Sequence, residues 1–151
     1  MVEEVLNLSD LTQVRKRPFL VTLLAVVVLS FTIIHLVRFV NTLSLWNFLA
    51  SFPGISPPFL ALTGLFWAIV GVLLFWGLWT GKSGTPLAGR VLTVVYLGYQ
   101  WLERILSIRL GNELENWLFA VGMTLIVLIF NFYTLSRAGA KAYFGEMHEP
   151  S

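Results

Sequence analysis

The sequence predicts an all-α, polytopic integral membrane protein, with four transmembrane helices in a compact bundle and both termini cytoplasmic. Three observations predict it. Of the 151 residues, 57% are hydrophobic and only 12% are charged, against about 25% charged in soluble domains. The charges are segregated, which leaves uncharged apolar runs long enough to cross hydrocarbon. Finally, Arg15, Lys16, Arg17, Lys82, Arg90, Arg137 and Lys141 share one side of a four-span arrangement, with only Arg38, Arg104 and Arg109 toward the other. The positive-inside rule makes the first side cytoplasmic. The lipid bilayer of a prokaryotic plasma membrane is the expected setting.

Residues 1–17 read as a cytoplasmic lead-in in which Val5, Leu8 and Leu11 recur at the spacing of a short amphipathic helix. The apolar run that follows is too long, and the lead-in too acidic, for a cleavable signal peptide. A transmembrane domain over 18–136 is expected instead. Its first helix, about 19–46, would be about 40 Å long, more than the ~30 Å hydrocarbon core, so it must tilt or project. Residues 47–58 carry Pro53-Gly54 and Pro57-Pro58, both strong breakers, while Phe48, Leu49 and Phe52 suit the interface.

The second helix, about 59–80, is apolar inside apart from Thr63. Gly64, Ala68 and Gly71 give it a small-residue face for close helix approach. Trp76 and Trp79 sit at its end, as interfacial aromatics do. Gly81-Lys82-Ser83 then begins a basic turn. It is no phosphate-binding loop, because Trp76 stands where that loop requires glycine. A third helix is expected over about 87–108 and a fourth over about 117–136, where Asn131 reads as an interhelical hydrogen bond. Residues 137–151 read as a polar cytoplasmic tail.

The third helix holds the polar centre. At 100° per residue, Thr93, Tyr96, Gln100, Glu103 and Ser107 fall on one stripe with Arg104 beside it. Val95, Gly98, Leu102 and Ile105 form the opposite face. Lipid would leave the stripe unpaired, so it must face protein or water. On the first helix His35, Arg38 and Thr42 lie within about 60° of each other, with Asn41 flanking them. Arg38 lies about 28 Å from Phe19 and Glu103 about 20 Å from Arg90, so both fall in the outer half of the membrane. The candidate polar site is therefore His35, Arg38, Tyr96, Tyr99, Gln100, Glu103 and Arg104. One reading makes it an outward-opening site with Glu103 as cation or proton acceptor. The other makes it a satisfied Glu103–Arg38 ion pair that fixes helix register.

Composition removes several functions. The chain has no cysteine, which excludes disulfides, thiolate catalysis and Cys-ligated metals. His35 and His148 lie at opposite ends, so one chain cannot hold a bis-His haem. Glu146, His148 and Glu149 read as a solvated tail rather than a metal cluster. No cofactor and no metal are expected. A net charge of +2 is explained by topology and points to no nucleic acid. Catalysis is not expected, since only Glu103 with His35 could do acid–base work. The expected role is that of a structural or accessory subunit, making helix–helix contacts as a homo-oligomer or with other membrane subunits. The alternative is a small oligomeric transporter or channel with an outward-facing site around His35, Arg38 and Glu103.

Overall fold

The computed structural model describes residues 17–52, 56–109 and 117–145, and no side chains over 106–109. The described residues form helices without any strand: α1 (Phe19–Ser44), α2 (Trp46–Ala50), α3 (Pro57–Thr80), α4 (Thr85–Arg109), α5 (Trp117–Ser136) and α6 (Ala138–Phe144). Of these, α1, α3 and α5 are long and apolar enough to cross a membrane. The 25-residue α4 carries Arg90, Glu103, Arg104 and Arg109 and is not among them. The lead-in helix expected before Arg17 and the acidic-histidine tail after Gly145 lie outside the described residues.

Three boundaries differ from the sequence expectation by two residues: α4 begins at Thr85 rather than Leu87, and the other two have a local context. A single helix through Trp46 was expected, but α1 stops at Ser44 and Leu45 leaves helical geometry at φ −104°, ψ 20°. Just before the break, the Thr42 hydroxyl donates to the Arg38 carbonyl at 2.8 Å, and the Leu45 N–H still bonds the Asn41 carbonyl. The aromatic residues beyond then form the separate α2, where Phe48 and Phe52 stack edge to face at 4.9 Å. The third difference is at α3, which begins at Pro57 rather than Phe59. Both prolines sit in its first turn, where N–H groups have no helical acceptor and a fixed φ is an advantage. The helix closes at Gly81, whose φ of 68° suits glycine far better than any side chain.

The tightest packing is between α1 and α3. A Cβ added at Gly64 would lie 3.2 Å from the His35 carbonyl, and one at Gly71 would lie 2.2 Å from the Thr32 hydroxyl. These glycines let two backbones approach as side chains would not. At one end of the molecule Val21, Leu78 and Leu135 are buried together, and Arg90 donates to the Leu135 carbonyl at 3.0 Å. At the other end Arg38 meets Glu103, and the Trp101 indole N–H donates to the Thr124 hydroxyl at 3.2 Å. Thus α1 and α4 run one way, and α3 and α5 the other.

The tail is not wholly polar. Residues 138–144 form α6, and its Ala140, Tyr143 and Phe144 complete the core made by Val21, Leu24, Ala25, Leu78 and Leu135. The Tyr143 hydroxyl donates to the Trp79 carbonyl at 2.7 Å, as does the Arg17 guanidinium at 3.0 Å. Arg17 also lies 3.7 Å over the Trp79 ring, within cation–π range. Two carbonyl-directed donors thereby satisfy an acceptor that the end of α3 leaves free. Both ends of the described chain meet there. A seven-residue element is too short to declare itself by periodicity, and its stability comes from this docking rather than from its own helix-forming tendency.

Candidate functional site

The polar stripe of α4 faces α1, and the two helices exchange hydrogen bonds at two levels. At the upper level the Arg38 guanidinium embraces Glu103: Nη1 donates to Oε2 at 3.1 Å, and Nη2 donates to Oε1. Two parallel bonds between planar groups form the strongest kind of ion pair. The pair is about one-quarter exposed, 26% at Arg38 and 23% at Glu103. Parallel helices make this geometry available, since Arg38 and Glu103 then sit at matching depths, as their positions along each helix require.

One turn below, a chain of side chains runs across the interface. The Gln100 amide N–H donates to the Tyr96 hydroxyl at 2.6 Å, and the Tyr96 hydroxyl lies 3.1 Å from His35 Nε2. His35 itself is buried and meets the Tyr96 ring edge to face at 5.5 Å. The structure therefore divides the sequence-predicted site in two. Arg38 and Glu103 form one unit; His35, Tyr96 and Gln100 form another. Arg104 is half-buried, while the Ser107 side chain lies outside the described ones. Tyr99 belongs with the upper unit. Its buried hydroxyl interacts with Glu103 and Arg38, and with Thr63 of α3.

Trp67 is the residue that sequence reasoning missed. It is 7% exposed and sits against the rings of Tyr96 at 4.9 Å and Tyr99 at 5.5 Å. One signal was available: Trp67 lies three residues after Gly64 and four before Gly71, on the same α3 face. Its aromatic mass covers one side of the hydroxyl chain. Toward the opposite end of the molecule, a cavity of about 110 Å³ opens between α1, α3, α4 and α5, with His35, Tyr96 and Asn131 in its wall. The Asn131 side chain is 3% exposed, and its Oδ1 finds no donor.

The far side of α4 is different in kind. Val91, Val95, Leu102 and Ile105 are each about half exposed, and a Cβ added at Gly98 would meet no atom within 4 Å. Among the described residues no group of histidine, aspartate and glutamate is arranged to hold a metal ion. Compared with family models, curated proteins and solved structures, the chain matches none of them.

Proposed function

We infer that this protein is a small accessory or structural subunit of the plasma membrane, acting through helix–helix contacts with copies of itself or with larger membrane proteins. In this reading α1, α3, α4 and α5 all cross the bilayer as a four-helix bundle, with both termini cytoplasmic as the lysine and arginine distribution favours. α4 crosses despite its charges because Arg38 neutralises Glu103 inside the protein.

The outward face of α4 carries the reading. Val91, Val95, Gly98, Leu102 and Ile105 alternate spacings of four and three residues, the seam that lets helices interlock. The glycine at its centre stands clear of neighbouring atoms and supplies the flat spot that membrane helix pairs use. Native mass spectrometry of the mildly solubilised protein from its own host tests this. Fixed-stoichiometry assemblies are expected, and Gly98→Leu should dissociate them while leaving the helices folded. A monomer under every mild condition would overturn the reading.

A second reading, a small oligomeric transporter or channel, is supported by Tyr99. Its buried hydroxyl lies beside the Arg38–Glu103 pair and couples to it. In liposomes, ion or solute flux abolished by Glu103→Gln with unchanged thermal stability would favour it. Wild-type liposomes that pass no tested ion would count against it.

A further inference from the structure

The cavity between the four long helices contains a feature that packing does not require. Its wall is largely hydrocarbon, from Leu24, Phe31, Val70 and Val127 among others, and no Asp, Glu, Lys or Arg contributes to it. Two of its lining residues, His35 and Asn131, are 4% and 3% exposed, and each has a buried polar atom without a partner, Nδ1 and Oδ1 respectively. Native interiors rarely leave such atoms unpaired. Two hydroxyls of the lining are engaged: Thr32 donates to the Val28 carbonyl at 2.8 Å, and Tyr96 lies within the chain from Gln100 to His35.

That chain assigns the proton on His35. Gln100 donates to the Tyr96 oxygen, and His35 Nε2, 3.1 Å away, is the described acceptor for the Tyr96 hydroxyl hydrogen. A neutral imidazole accepting at Nε2 carries its hydrogen on Nδ1; the tautomer follows from the hydrogen-bond network. The unpartnered atom of His35 is therefore a donor, aligned by two residues behind it. Along α1 the cavity runs from Leu24 to His35, about 16 Å at the helical rise, so His35 stands at one end of a narrow apolar slot.

We propose that this slot binds a small neutral molecule, mainly hydrocarbon, whose carbonyl or hydroxyl oxygen accepts a hydrogen bond from His35 Nδ1. Neutrality follows from the wall, since an ion would be stripped of water with no countercharge. Size follows from the volume: a 150 Å³ apolar cavity in another protein holds benzene, so about 110 Å³ accommodates about six non-hydrogen atoms. Acceptor chemistry follows from the tautomer. The inference is independent of any assembly through α4.

The test uses the full chain in nanodiscs with isotope-labelled histidine, which gives a near-unique buried reporter because the chain has only 2 histidines. Three probes of matched size are titrated at equal concentration in the bilayer: methyl propyl ketone, hexane and butanoate. The His35 Nδ1 resonance should shift saturably with the ketone. Hexane should bind about tenfold more weakly, the loss of roughly one hydrogen bond, and butanoate should not bind. Val127→Phe fills the slot without touching His35 and should abolish the saturable shift; should that variant not fold, Val127→Leu should weaken it. Non-saturating shifts, equal saturable binding of ketone and hexane, saturable butanoate binding, or ketone binding that survives Val127→Phe in folded protein would each overturn the proposal.

Discussion

Arg38 holds Glu103 in this position by covering both of its carboxylate oxygens. Removing one member leaves a partly desolvated charge without its partner, which costs more than the pair itself contributes. Glu103→Ala is accordingly expected to lower stability by about 2–4 kcal/mol, measured by reversible unfolding in mixed micelles. Arg38→Met combined with Glu103→Leu should recover most of that loss, because no uncompensated charge remains. A double variant as unstable as the single one would assign the cost to packing instead. Tyr96 follows the same logic without charge. Its oxygen is the only described link between Gln100 and His35, so Tyr96→Phe orphans a buried acceptor on His35 and removes the acceptor of the Gln100 amide. A loss of about 1–3 kcal/mol is expected, read from the same unfolding measurement.

At the scale of the helix, the α1–α3 contact depends on atoms that are not there. Gly71 faces the Thr32 hydroxyl so closely that an alanine methyl would stand 2.2 Å from it, well inside van der Waals contact. Gly71→Ala therefore forces Thr32 to rotate away from the Val28 carbonyl or the helices to separate, at about 1–3 kcal/mol. Thr32→Ala in the same chain should relieve most of the clash, and a thermal-unfolding double-mutant cycle reads the coupling. Independent, additive losses would show that the two positions do not meet. The small-residue face was legible in the sequence, since Gly64, Ala68 and Gly71 repeat at helical spacing, but which helix packs on it was not. Trp67 was not, because in an apolar run a tryptophan facing inward and one facing lipid look alike. The ends were the least legible. Pro57-Pro58 signals a break and a helix start equally well, and no glycine or proline marks the interruption at Leu45.

Over the whole molecule, the apolar runs and the pairing of the α1 and α4 stripes could be read directly, because hydrocarbon permits few alternatives. Closure of the terminal end could not. α6 has too few residues to show a pattern, and its importance lies in contacts remote in sequence: Tyr143 with Trp79 and Arg17, and Phe144, 1% exposed, among Val21, Leu78 and Leu135. This arrangement joins stability to orientation in one experiment. Phe144→Ala opens a cavity in that core, with a cost of about 3–5 kcal/mol, and weakens the hold on α6. Lys141 is exposed yet belongs to a docked helix, so trypsin should cut there slowly in the wild type and much faster in Phe144→Ala. In the proposed orientation, with both termini cytoplasmic, the difference should appear in inverted membrane vesicles and vanish in right-side-out ones. Fast cleavage of the wild type would show that α6 is not held by the core. Cleavage confined to right-side-out vesicles would reverse the orientation that the basic residues favour.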